Sequence, residues 1–148
     1  MHKIYNYMGL LDNYSGIGMS PRPKWQHQMV MSLFLGNAGR ELRRKGLLLL
    51  TEVTVTDDWD DLAPDLVVFD AEFRPFMIIE ITTHKECAAI IRKCEELMAR
   101  FPEAEYFVYD YEKGELFAFD DETETWVRSE EYEIGSRYLD RPLMAYID

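Results

Sequence analysis

The chain is short of the residues that mark a secreted, membrane-bound or thiol-dependent protein. It holds two cysteines and three histidines in 148 residues. Cys87 and Cys94 lie seven apart on one expected helix, roughly 10 Å apart along its axis, too far to form a mutual disulfide. A zinc site needs more ligands at closer spacing, so both are expected in the core. No apolar run approaches the roughly 20 residues that cross a bilayer. The longest, from Gly46 to Leu50, is strand-sized. Met1-His2-Lys3-Ile4-Tyr5 lacks the apolar stretch and cleavage site of a secretory signal, so a soluble, cytoplasmic protein without a membrane partner is expected. Gly16-Ile17-Gly18 lacks the lysine of a phosphate loop, and no Gly-x-Ser-x-Gly elbow occurs. Asp57-Asp58-Trp59-Asp60-Asp61 has the acids of a calcium loop but neither its glycine nor its distant glutamate; a turn is expected there.

Bases are also scarce, but unevenly. The net charge is −12. Residues 1–100 carry 14 acids against 12 bases, and residues 101–148 carry 14 acids against 4. The first part is nearly neutral and includes Arg40, Arg43, Arg44 and Lys45. That cluster reads either as a phosphate contact or as a solvated helix end that complements the helix dipole. An acidic total alone therefore does not exclude nucleic acid.

Length and apolar content suit one domain over 1–148. Residues 1–20 read as a strand or two with turns. Ser20-Pro21-Arg22-Pro23 reads as a stiff helix entry. Met29, Val30, Leu33, Phe34 and Ala38 place a helix over Trp25–Arg44, capped by Gly46. Strands are expected over Leu47–Thr56, Leu66–Asp70 and Phe76–Thr82, the last two as a hairpin. Cys87, Ile90, Ile91, Cys94, Leu97, Met98 and Phe101 line a second helix that Pro102 stops. Strands follow at Glu105–Tyr111, Glu115–Asp120 and Glu124–Arg128, and the tail from Tyr132 reads as irregular or briefly helical. The order fits an α/β (α+β) mixed sheet flanked by helices.

The chemistry gathers on that hairpin. Side chains alternate along a strand, so Phe76, Ile78, Glu80 and Thr82 share one face, opposite Met77, Ile79 and Ile81. The start of one hairpin strand lies beside the end of the next, which brings Asp65 to Glu80. A carboxylate on a buried strand is costly unless paired, and two of them suit one magnesium or manganese ion. The bland alternative makes Asp65 a turn residue after Pro64 and pairs Glu80 with a nearby Arg or Lys. Lys93 borders the apolar stripe of the second helix. From there it either bends toward the sheet end or pairs with Glu86 or Glu96 on the surface. His27 reads as a phosphate or water contact, or as a packing residue. Glu41 and Glu52 are candidates for a third metal ligand, Glu41 being expected on a solvated face. His84-Lys85 reads as a phosphate contact.

Over roughly residues 19–110 the chain resembles the Uma2 family of candidate endonucleases, a branch of the PD-(D/E)xK superfamily. The resemblance is carried by Ser20-Pro21 through His27-Gln28, Ala63-Pro64-Asp65-Leu66-Val67-Val68, Ile78-Ile79-Glu80-Ile81, Lys93, and Tyr106-Phe107-Val108-Tyr109-Asp110. It implies a restriction endonuclease-like core with an acidic extension over 111–148. It also implies metal held by Asp65 and Glu80, Lys93 as the catalytic cation, and His27 in the family's histidine place. Thr82 stands where the superfamily usually has lysine, and Thr82-Thr83-His84-Lys85 replaces the family's serine-proline loop. The resemblance thus implies a magnesium- or manganese-dependent nuclease acting on DNA, and a homodimer is expected because enzymes that cut both strands of a duplex are commonly dimers. A non-catalytic interaction module on the same fold is the alternative.

Overall fold

The computed structural model describes residues 25–53 and 63–148. Ser20–Pro23, His2, the expected N-terminal strands and the Asp57–Asp61 turn lie outside these residues.

The first helix, α1, runs Trp25–Arg44 and buries Val30, Phe34, Ala38, Glu41 and Leu42. Val30, Phe34, Ala38 and Leu42 recur every fourth residue, so they form one stripe. Met29, expected in that stripe, is exposed, and Met31 is buried instead. The helix ends at Gly46, whose φ of +80° suits a residue with no Cβ. Leu47 N–H donates to Leu42 O and Gly46 N–H to Arg43 O, the paired bonds of a Schellman cap.

Six strands follow among the described residues: β1 (Leu48–Thr51), β2 (Leu66–Phe69), β3 (Pro75–Thr82), β4 (Glu105–Asp110), β5 (Glu115–Asp120) and β6 (Thr125–Arg128). They form one sheet in chain order. All neighbours are antiparallel except β3 and β4. Parallel strands need a crossover, here helix α2 (Cys87–Arg100). Tyr106 Oη donates to Phe101 O at 2.7 Å, satisfying a carbonyl where Pro102 ends the helix turn. A one-turn helix, α3 (Met144–Ile147), comes last.

The sheet is covered on both faces. Leu66, Val68, Met77, Ile79, Ile81, Phe107 and Tyr109 pack with α1 and α3. Val67, Phe69, Ile78, Tyr106 and Val108 pack with Cys87, Cys94 and Leu97 of α2. The expected alternation along β3 holds, and it puts Glu80, in phase with Ile78, on the α2 side. Both cysteines are free and buried there. The aromatic run Tyr106–Tyr109 is core, since β4 is a central strand.

The acidic tail contributes to this core. β5 and β6 extend the sheet, and Ile134, Leu139, Leu143, Tyr146 and Ile147 are buried with α1. Glu41 explains the attachment and corrects the expectation of a solvated face. It is only 8% exposed. It accepts hydrogen bonds from Tyr146 Oη (2.6 Å), Asp140 N–H (2.7 Å) and Lys45 Nζ (3.2 Å). Lys45 is further held by Asp140 Oδ1 and Tyr138 O. It is thus bound into this junction, leaving only Arg40, Arg43 and Arg44 of the basic cluster for other roles.

Among the described residues no helix is long and apolar enough to cross a membrane.

Candidate functional site

The hairpin register fixes the site. Leu66 faces Ile79 across β2 and β3, so the next step outward sets Asp65 beside Glu80. Asp65 is held in place by its backbone and its side chain. Its carbonyl accepts Glu52 N–H at 3.0 Å, and its Oδ2 accepts Ile81 N–H at 2.8 Å. The β3 backbone therefore orients one acid while β3 itself carries the other.

Lys93 reaches in from α2. Its Nζ lies 2.7 Å from Glu80 Oε2 and 3.4 Å from Ala63 O. Of the two sequence alternatives for Lys93, bending toward the sheet end is the one observed. His27 reaches in from α1, with Nε2 3.2 Å from Asp65 Oδ2. Asp65, Glu80, Lys93 and His27 thus converge from four elements of the chain. Glu80's side chain is 2% exposed, while Asp65, His27 and Lys93 are between 16% and 18%, so only their tips meet solvent.

Burial pushes the Glu80 carboxyl up, the adjacent Asp65 charge pushes it further, and Lys93 only partly offsets them. The result is about 8. For His27, burial works against the charged ring, but the contact with Asp65 outweighs it and raises the group above its usual 6.5. Three buried atoms have no hydrogen-bond partner among the described residues: Gln26 Oε1, His27 Nδ1 and Glu80 Oε2. Glu80 Oε2 is nonetheless ion-paired with Lys93 Nζ at 2.7 Å. Two of the three orphans are on site residues.

Among the described residues no three His, Cys, Asp or Glu side chains are grouped to hold a metal ion. The donor set is a pair of carboxylates, which is how magnesium is often held when substrate and water complete its shell. Glu41 is committed to the tail and is no third ligand. Glu52 is exposed, in the left-handed region at φ 53°.

Thr82 is buried, and its hydroxyl donates to Thr83 O. His84 belongs to a second pair that sequence reasoning missed. Its Nδ1 is 2.8 Å from Oδ2 of Asp110, a residue only 1% exposed. Thr82 pairs with Asp110 across the parallel strands β3 and β4. The Asp110 signal was visible as an acid closing an apolar strand, but its partner depends on strand order.

No family model and no curated protein sequence matches the chain. Among solved structures, it is similar to a candidate nuclease belonging to DUF820 from Anabaena variabilis, with a TM-score of 0.63 and 13% identity. The likeness covers 87% of this chain and 84% of that one. At that identity it is a likeness of fold: the mixed sheet with flanking helices expected from the sequence is the one found.

Proposed function

We propose that the chain is a metal-dependent endonuclease of the Uma2 branch of PD-(D/E)xK enzymes, hydrolysing phosphodiester bonds of DNA. The observation that carries this reading is the convergence of Asp65, Glu80, Lys93 and His27 at one end of the sheet. Asp65 and Glu80 would hold magnesium or manganese. The fit rests on two hard oxygen donors, a mutual repulsion that a cation would relieve, and an unsatisfied oxygen on Glu80. Such an ion supplies Lewis-acid stabilisation of phosphoryl charge and a nucleophile at neutral pH.

The chain's own residues have separate tasks. Lys93 places a fixed cation beside Glu80, where it stabilises charge developing on phosphate oxygens. Its approach from α2 supplies the positive charge that Thr82 cannot. His27, with Nε2 on Asp65, helps to orient that side chain and holds a proton at the site's edge. Ile81 N–H fixes the angle of Asp65.

One observation favours the non-catalytic reading. Glu80 already has a cation, Lys93, and its carboxyl is pushed toward neutrality, so the site is balanced without metal. Calorimetric titration with manganese, on the wild type and on Asp65→Ala/Glu80→Ala, separates the two. Binding in the micromolar to millimolar range that disappears in the double variant, together with manganese-dependent cleavage of plasmid DNA, is expected. A folded wild type that neither binds manganese nor cleaves would overturn the nuclease reading. Light scattering on the same samples tests the homodimer.

A further inference from the structure

We propose that His84, oriented by Asp110, binds substrate phosphate beside the point of cleavage; this rests on the nuclease reading of the Asp65–Glu80 end. Glu80 pairs with Val108 and Thr82 with Asp110 across β3 and β4. Asp110 therefore shares the α2 face with Glu80 and lies two residues further along and one strand across, about 8 Å away from strand rise and strand spacing together. That is the scale of one step between phosphates on an extended strand.

The pair is built to present a ring outward. Asp110 Oδ1 accepts Glu112 and Lys113 N–H at 3.0 and 3.1 Å, which leaves Oδ2 to His84. A carboxylate only accepts, so His84 Nδ1 carries the hydrogen and Nε2 is the outward atom. The His84 N–H is itself fixed on Glu112 Oε1 at 2.9 Å. The His84 side chain is 62% exposed while that of Asp110 is 1%, so the anchor is buried and the ring is not.

His84 borders an open cleft of about 560 Å³ that Lys113, Arg128 and Ser129 also line. Its two acids share one guanidinium, both Glu115 oxygens taking Arg128 at 2.8 and 2.9 Å and Glu130 lying 3.6 Å from it, and Lys113 brings the lining to formal balance. Lys85, next in the chain, adds a base. Carrying hydrogen on both nitrogens, the ring would donate to Asp110 through Nδ1 and to a phosphate oxygen through Nε2, a charge-assisted arrangement.

Fluorescence anisotropy tests this with a labelled 20-nucleotide single-stranded DNA, titrated with the full chain over a range of salt. His84→Gln should weaken binding about tenfold and flatten the plot of log K against log salt by about 0.7, one phosphate contact. Asp110→Asn keeps an acceptor for the two backbone N–H groups but turns a donor toward Nδ1. It should match His84→Gln, with no further loss in the double variant. In manganese-dependent cleavage, His84→Gln should raise KM about tenfold and leave kcat within about twofold. Unchanged affinity and salt slope in His84→Gln would overturn the proposal while wild-type cleavage still upholds the nuclease. Weakened binding without any wild-type cleavage would sink the nuclease reading and leave His84 as a phosphate contact. A wild type that binds no DNA would overturn both.

Discussion

Glu41 and Glu80 are both buried, and they differ in how their charge is met. Glu41 has three donors on its two oxygens, and although burial works against its ionised form, Tyr146, Asp140 and Lys45 together hold its carboxyl below the usual 4.5. Glu80 is buried with a like charge beside it and a single cation, Lys93, against both, and its carboxyl is pushed up to about 8. A buried carboxylate whose acceptors are filled joins parts of the chain. One that is left unfilled beside another acid retains its appetite for a cation.

Substitutions at the two glutamates should therefore act on different observables. The largest effect is expected from Glu80→Gln and Lys93→Met on cleavage. Each should lower the turnover of plasmid DNA by about 10²–10³-fold, the scale for loss of one positioned charge. Glu80→Gln should move the thermal midpoint little or upward, since it keeps the shape of a carboxyl that burial and Asp65 already push toward neutrality. A large loss of stability instead would make Glu80 a structural residue like Glu41. Glu41→Gln should do the converse. It should cost about 2–3 kcal/mol by breaking a buried charged network, read as a midpoint lower by roughly 5–10 °C, with manganese binding retained. Tyr146→Phe removes one of those bonds and should cost about 1 kcal/mol in a denaturant titration.

Acid gives the finest test. Glu41 is depressed in the fold, so its stabilising effect is full above its unfolded value of 4.5 and is lost as pH falls through its lower folded value. The stability gap between wild type and Glu41→Gln should close below pH 4.5. A constant gap down to low pH would mean that the loss came from packing and not from charge.

The same contrast explains what the sequence made legible. Glu80's neighbours are local: hairpin spacing brings Asp65 across, while Lys93, on the next helix, was left open between the sheet end and a surface pair, and the sheet end is where it lies. α1, β5 and the ends of α2 could be read because periodicity and Pro102 are local too. Glu41 looked like a solvated helix residue because its partners, Asp140 and Tyr146, follow it by 99 and 105 residues. The tail read as irregular or briefly helical, which agrees with α3, but its burial was not legible, since Leu139, Leu143 and Tyr146 make sense only against α1. His84 and Asp110 needed the parallel register of β3 and β4, which no short-range pattern encodes.

The sheet follows chain order, so each strand pairs with its neighbour in sequence, β3 with β4 through the α2 crossover. The junction of α1 with α3 is the exception: Asn37 Nδ2 donates to Tyr146 O across 109 residues. A contact of that reach carries the largest loop-closure cost, so it is expected to close after the locally connected sheet. Weakening it should leave the refolding arm of a chevron in place and lift the unfolding arm. The small helix at the far end of the chain would then act as a latch on lifetime, setting how long the finished sheet resists opening and leaving the speed of its assembly unchanged.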